Sequence, residues 1–481
     1  MVFEITPFFL YNEMRGIDYP YYKSQGSLLK GRAAMTVDSH ITYIYKRNGR
    51  LVQFDQDRVT DAIFRAARSI GGEDINRAKE LSDEVVRVLN ETFEAGERPT
   101  VEEIQDIVIK VLEQNDHQAT ARAYANYRKE HAHLREGRKS GEVAETVPYK
   151  ILWDVLSWNV DYGCESVEHL NEHVRRGTLP IIIEAAEKVY HDEIDNLAQS
   201  ILKKKDKIRI VIIAGPSSSG KTTTTIKIGE RLAEEKISLT TIGLDNYYKN
   251  LKEHPKDEFG DYDFERPESL DIELINEHLA ALIRGEEIQM PFYNFKTGQR
   301  EHKTTPFHME ANQILLIDSL HGLYEPLTAS VPVDVKYKMY IEALCQIKTP
   351  DGEFMRWADL RMLRRMVRDS WARSYSPEMT VGHWHYVRKS EMQYIVPFIS
   401  QANYIFNGSL PYELSVHKKY LWKYMDQIYN AYKDQPKRYD AFIRARRVYE
   451  LLNAVTPIDD DSCIPRNSLM REYIGGSVYK Y

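Results

Sequence analysis

The spacing of apolar residues changes several times along the chain, and each change predicts an element. Residues 1–39 hold many aromatics and no sustained period, and a second methionine, Met35, precedes the first patterned segment. They read either as a leader without fixed structure ahead of a start near Met35, or as an arm that packs on a neighbour. From Ile41 the pattern tightens. ITYIYKRNGRLVQF alternates around Asn48-Gly49, which predicts two strands and a hairpin turn. Asp55 or Asp57 then caps a helix that carries Val59, Ile63, Ala66 and Ile70 at helical spacing. Leu81, Val85, Leu89 and Phe93 predict a second helix, and Thr100 caps a third with Ile104, Val108, Val111 and Leu112 on one face. A fourth runs from about Ala119 to Leu134.

Beyond the polar linker GRKSGEVAETVP, residues 139–207 predict helices only. His169 and His173 lie four apart there, as two metal ligands on one helix face do. With no third ligand nearby, solvent-facing histidines are the simpler reading. From Ile208 the order becomes strand, loop, helix. Ile208–Ala214 is a short, mostly apolar run that predicts a buried strand, and GPSSSGKT follows it. Ile226, Ile228, Leu232 and Ala233 then continue at helical spacing. ISLTTIGLD predicts a second strand ending in Asp245, and NQILLIDSLHGLY another ending in Asp318. The region from Tyr412 predicts helices, with Tyr420, Tyr424, Ile428 and Tyr432 forming a core or subunit-facing stripe.

Bulk properties narrow the class. At 481 residues the chain exceeds one ordinary core, so two or three domains are expected. The formal charge of −7, with bases and acids interspersed, argues against a nucleic-acid partner. Cys164, Cys345 and Cys463 are far apart and form no C-x-x-C pair, which suits a reducing cytoplasm rather than a disulfide framework or a zinc site. No apolar run approaches the ~20 residues that span a bilayer, and no signal-peptide layout is present, so no membrane partner is expected.

Chemistry concentrates in the second half. Gly215–Thr222 fits G-x-x-x-x-G-K-[ST], and its strand–loop–helix setting turns a pattern into a phosphate site. Backbone N–H groups of Gly215, Ser217, Ser218, Ser219 and Gly220, continuing through Lys221, Thr222 and Thr223, face the phosphates at the positive end of the helix. Lys221 neutralises β/γ charge and the Thr222 hydroxyl ligates Mg²⁺. A glycine turn with a surface lysine is the competing reading, and the flanking strand and helix argue against it. Asp245, at a strand's carboxyl end, could draw a proton from an acceptor hydroxyl or orient it. Asp318 could hold Mg²⁺ through water. Arg364, Arg365, Arg368 and Arg373 form a one-sign cluster, which favours a phosphate clamp or lid over a solvated face.

Two stretches resemble known families. YKRNGRLVQFDQDRV, RPTVEEIQDIVIKVL and ARAYANYRKEH together resemble the ATP-cone, the nucleotide-sensing domain at the front of ribonucleotide reductases and their repressors. The resemblance covers about residues 40 to 135. It implies that Lys46, Arg47 and Arg58 contact the phosphates of an ATP or dATP effector, with Arg58 standing where lysine is commoner. Exposed hairpin charges are the bland alternative for the three.

The chain from about Ile208 onward resembles the uridine kinase and phosphoribulokinase group, especially its bacterial nucleoside kinases, down to the closing NSLMREYIGGSVYKY. The resemblance implies ATP and Mg²⁺ as cofactors and Asp245 as the catalytic carboxylate. It places Tyr248 beside the nucleoside, and Tyr293 and Phe295 at the border of the base. Glu265 replaces an aspartate that holds the ribose hydroxyls. Arg365 and Arg368 fall on acceptor-side arginines and Arg373 on a lid arginine. Lys221, Arg368 and Arg373 thereby join Asp245 in catalysis. Gly298 stands where a base-reading histidine is usual, His383 where a glutamine is, and Tyr375 where a second lid arginine is. These departures fall on base recognition and leave phosphoryl transfer intact.

The resulting expectation is an α/β chain: a P-loop kinase core, its mostly parallel sheet flanked by helices, behind a small, mostly helical ATP-cone domain and a helical connector. The segments are a leader (1–39), the cone (40–138), the connector (139–207), the kinase core (208–410) and a helical C-terminal extension (411–481). The expected function is an ATP-dependent nucleoside 5′-kinase, regulated by ATP or dATP and assembled as a homo-oligomer. A kinase for another small alcohol such as a sugar phosphate is the nearer alternative. A nucleotide-sensing regulatory protein with an inactive core is the more distant one, and no helix-turn-helix, zinc ribbon or basic stripe accompanies it.

Overall fold

The computed structural model describes residues 39–480 apart from 46–50, 69, 71, 73, 126–146, 257–261, 264, 295–296, 374 and 436–437. Near the front, β1 (Tyr43–Tyr45) and β2 (Leu51–Gln53) pair antiparallel with Tyr45 opposite Leu51. The expected turn at Asn48-Gly49, with Lys46 and Arg47, lies outside the described residues. Three helices pack against the hairpin: α1 (Gln56–Arg68), α2 (Ile75–Thr92) and α3 (Val101–Gln114). Asp55 accepts from the Asp57 N–H at 3.1 Å, so Asp55 is the cap of α1. Thr100 and Glu103 form a full capping box on α3. Ile63, Val85, Leu89, Val108 and Val111 close this small core.

The middle of the chain supplies α4 (Tyr149–Asp161), α5 (Val167–Arg175) and α6 (Leu179–Leu202). His173 binds the Thr178 hydroxyl and the carbonyls of Tyr162 and Gly163, and His169 pairs with Glu165. Both histidines thus act locally, and no metal-ligating cluster occurs among the described residues.

Two short antiparallel pairs, β5 (Ile288–Met290) with β8 (Thr305–Phe307) and β6 (Tyr293–Asn294) with β7 (Gln299–Arg300), accompany a main sheet that is five-stranded and entirely parallel. Its order is β11 (Tyr404–Asn407), β10 (Lys336–Glu342), β3 (Ile210–Ala214), β9 (Gln313–Ser319) and β4 (Ser238–Gly243). Side chains alternate across such a sheet, so both faces must be covered. Ile210 and Ile212 point into one cluster, with α8 (Ile272–Ile283). Val211 and Ile213 point into the other, which is shared by α6, α7 (Lys221–Glu234), α9 (Trp357–Ala372) and α10 (Pro377–Tyr394). The same cluster takes in α11 (Glu413–Leu421), α12 (Met425–Lys433), α13 (Tyr439–Ala454) and the closing α14 (Arg471–Ile474). Of the expected tyrosine stripe, Ile428 and Tyr432 are buried while Tyr420 and Tyr424 are half-buried, because a 3₁₀ turn at Trp422–Tyr424 breaks the helix. The front core meets this assembly at α13. Tyr439 is buried in it and donates to Asp57 at 3.1 Å, and Arg446 pairs with the same carboxylate.

Candidate active site

The strand order brings three carboxyl ends together. Ile213 of β3 lies opposite Asp318 of β9, and Asp318 lies opposite Gly243 of β4. The glycine loop leaves β3, Asp318 is the penultimate residue of β9, and Asp245 follows β4. Asp245 sits in a 3₁₀ turn, Leu244–Tyr247, rather than on the strand itself. Ligands of open α/β sheets bind at this edge.

The loop is tightly seated. A Cβ on Gly215 would lie 2.3 Å from the Ile341 carbonyl oxygen, so only glycine fits. Gly220 caps α7 at φ +100°, and a Cβ there would meet Leu469 at 2.7 Å. Lys221 donates to the carbonyls of Gly215 and Pro216 at 2.9 and 3.2 Å. Burial lowers its pKa, opposed by Asp318, Glu472 and Asp245. The Thr222 hydroxyl donates to Asp318 at 3.5 Å. Burial pushes Asp318 up to about 6, with Lys221 opposing and Asp245 adding to the rise. Asp245 is raised too, again by burial first, with Lys221 and Arg373 opposing. Lysine, two carboxylates and the loop therefore share one electrostatic pocket. Thr222 and Asp318 present oxygen donors only, the kind Mg²⁺ takes beside substrate phosphates and water. They are the residues fitted to hold it.

Arginines of α9 bind the loop from behind. Arg361 donates to the Ser217 carbonyl at 3.2 Å and pairs with Glu342 and Glu391. Arg364 is fully buried; it meets both oxygens of Glu413 and the carbonyls of Ser218 and Ser219. Arg364 is thus a strut of the loop and not part of an exposed clamp. Arg365 reaches the Ser217 hydroxyl at 3.2 Å and Glu265 at 3.3 Å, tying the loop to the expected acceptor carboxylate. Arg368 reaches the Ser218 hydroxyl at 3.2 Å, and Arg373 is largely exposed, 3.5 Å from Asp369.

Two acids hold this cluster, and neither stood out in the sequence. Asp369 is 2% exposed and takes Arg365, Arg368 and Arg373. Its spacing from Arg365 and Arg373, four residues on either side, is the signal that could have found it. Glu472, from the closing segment, accepts from the Thr223 hydroxyl at 2.6 Å, the Thr223 N–H at 3.3 Å and Arg368 at 3.2 Å.

An aromatic wall stands near Asp245 and Glu265. Tyr248 lies 5.5 Å from Tyr293 and 5.6 Å from His254, and His254 stacks on Tyr293 at 6.4 Å. His254 was also missed by sequence reasoning. Phe295 lies outside the described residues. Gly298 takes φ +67°, and a Cβ there would press on Leu251 at 3.0 Å, so a histidine at this position would be strained. The Glu265 carbonyl is held by His321 at 2.9 Å and by the Ser390 hydroxyl. His383 is hydrogen-bonded to Tyr375. Arg58 stays apart from this site, at the start of α1 beside Asp55.

A phosphate loop with its lysine, flanked by two carboxylates at the carboxyl edge of a parallel sheet, defines a P-loop phosphotransferase. Residues 210–413 match the model of the phosphoribulokinase/uridine kinase family, and residues 42–133 that of the ATP cone domain. A uridine kinase of Chloroflexus aurantiacus is 30% identical over 200 residues, 41% of this chain and 86% of its own length. One of Oceanobacillus iheyensis is 29% identical over 202 residues, 42% of this chain and 87% of its own. Among solved structures, a possible uridine kinase from Bacillus stearothermophilus matches at 20% identity and a TM-score of 0.27, covering 31% of this chain and 79% of that one. The chain belongs to the phosphoribulokinase/uridine kinase family. It is an ATP-dependent phosphotransferase with an ATP-cone domain at its front.

Proposed function

We propose that the chain transfers the γ-phosphoryl of ATP to the 5′-hydroxyl of a nucleoside. The observation that carries this reading is the Tyr248–Tyr293–His254 wall standing with Glu265 on the acceptor side of Asp245. Flat rings suit a base, and a carboxylate suits sugar hydroxyls. Asp245 takes the acceptor proton, its raised pKa bringing it nearer the operating pH of a general base. Lys221, Arg368 and Arg373 offset charge on the transferred group, and the backbone of residues 215–223 orients the triphosphate. Thr222 and Asp318 would hold Mg²⁺, which would supply charge neutralisation at the phosphates. Arg365 links Ser217 to Glu265 and so fixes the separation of donor and acceptor.

In this reading the cone at 40–138 is regulatory, the connector at 139–207 docks it, the core at 208–410 is catalytic and 411–481 is an extension. ATP or dATP at the cone shifts activity or assembly of a cytoplasmic homo-oligomer through unequal affinity for two states. Asp245→Asn tests the core of the reading. Transfer should fall by at least a thousandfold with ATP affinity kept within threefold, whereas an active Asn variant removes Asp245 from the chemistry. Light scattering with dATP tests the effector.

A further inference from the structure

Between α1 of the cone and α10 and α13 of the core lies a cleft of about 550 Å³, away from the glycine loop. Pockets of this size hold small-molecule ligands. Six cations line it, Arg65, Arg68, Arg388, Lys389, Arg438 and Arg444, against two carboxylates, Asp61 and Asp440. Both acids are already engaged, Asp61 with Arg65 at 2.8 Å and Asp440 with Arg444 at 2.9 Å. Arg388 pairs outside the cleft lining, with Glu391 at 2.5 Å. Arg68, over the Phe64 ring at 6.0 Å, is engaged as well, which leaves two cations. Arg438, half-buried, and Lys389 make no side-chain hydrogen bond or ion pair among the described residues. The Nη2 of Arg444 is buried without an acceptor. His385, on the same wall, is held below the usual imidazole range by burial and by Arg444 and Arg438, with Asp440 opposing.

Like charges brought together in a half-buried cleft repel unless an anion joins them, and guanidinium groups match phosphate oxygens in pairs. Aromatic surface accompanies the charge, with Tyr386 packed on His385 at 3.8 Å and Tyr439 and Phe64 beside them. From this excess of unanswered donors, we infer that the cleft is a binding site for an oligophosphate chain, carried by a nucleotide or free.

The site is distinct from the glycine loop and from the β1–β2 hairpin. It bears on the acceptor side through α10. Gly382, His385, Tyr386 and Lys389 of that helix line the cleft, and Ser390 of the same helix holds the Glu265 carbonyl. A ligand there clamps the cone to the helix that positions the acceptor carboxylate.

The test counts equivalents bound per full-length chain by calorimetry, with ATP and inorganic tripolyphosphate titrated separately. Arg438→Glu and Lys389→Glu, made singly and together, reverse two charges that hold no other group among the described residues, and thermal melting checks that the fold survives. The expected result is that the double variant binds one equivalent fewer of at least one probe, or binds that equivalent at least tenfold more weakly. Stronger binding of ATP than of tripolyphosphate assigns the site to a nucleotide, and equal binding assigns it to the phosphate chain; both support the inference. Unchanged stoichiometry and affinity for both probes in both single variants and the double would overturn it. The count is independent of nucleoside turnover, so its failure and that of the proposed kinase reaction are separate outcomes.

Discussion

Replacing Arg364 with methionine should disconnect the glycine loop from the core that carries it. Arg364 is 0% exposed, as is Glu413, and the two meet through contacts of 2.7 and 2.6 Å. Its other donors serve the carbonyls of Ser218, Ser219 and Gly408 at 3.2, 3.1 and 2.5 Å. Methionine leaves Glu413 charged in the interior, with His417 at 3.4 Å as its remaining side-chain partner among the described residues. Breaking a buried pair in this way costs about 3–5 kcal/mol. Glu413→Leu leaves a guanidinium that still reaches three carbonyls, so its cost falls toward the lower end of that range. The pair Arg364→Met with Glu413→Leu holds no stranded charge; what is lost is the donor to the loop carbonyls, about 1–3 kcal/mol for each buried acceptor left unmet. The double variant should therefore be at least about 2 kcal/mol more stable than the sum of the single losses implies. Urea midpoints followed by tryptophan fluorescence measure this coupling, and ATP titration measures the loop. Stability should partly return in the double variant while ATP affinity does not, because the charge balance is restored but the loop struts are not. Additive losses, or wild-type ATP affinity in the double variant, would refute the reasoning.

Three further outcomes follow from the same geometry. Gly220→Ala combines φ +100° with a 2.7 Å approach to Leu469; it should cost about 1–2 kcal/mol and weaken ATP binding, and Leu469→Ala should relieve the contact but not the backbone strain. Glu472→Ala strips the acceptor from Thr223 and Arg368, so the urea midpoint should drop by about 2–3 kcal/mol equivalent and the KM for ATP should rise. His321 is held at about 4 by burial, against 6.5 unfolded, so the neutral form belongs to the fold. The stability it contributes is present above pH 6.5 and lost as pH falls through 4, about 3 kcal/mol at most. His321→Gln, which keeps an N–H for the Glu265 carbonyl, should shrink the difference between urea midpoints at pH 7 and pH 4.5; an unchanged difference removes His321 as the source.

Local signals in the sequence carried far. The loop, the hairpin strands, the Thr100 cap and the strands before Asp245 and Asp318 depend on spacing and turn chemistry within a few residues, and the structure contains them. Long-range pairing was not legible in the same way. Nothing near Arg364 in sequence announces Glu413, 49 residues away, or shows that the guanidinium faces loop carbonyls instead of phosphates. Glu472 is separated from Thr223 by 249 residues, and only the closing segment's family likeness pointed toward it. His254 escaped because one histidine among loop residues has no period. Its place beside Tyr293 arises from a fold-back around Gly298, whose carbonyl accepts from Leu251 N–H at 2.8 Å. The cleft cations come from α1, α10, α13 and the Arg438 that precedes α13, stretches that each look like an ordinary solvated face alone.

The most direct test of the central claim is a coupled ADP-release assay over nucleosides and sugar phosphates, run with the wild-type chain and with Asp245→Asn. The expected result is turnover of at least one nucleoside to its 5′-monophosphate, at a rate that collapses in the Asn variant. Turnover of a sugar phosphate with no nucleoside accepted, or equal rates in both proteins, would contradict it.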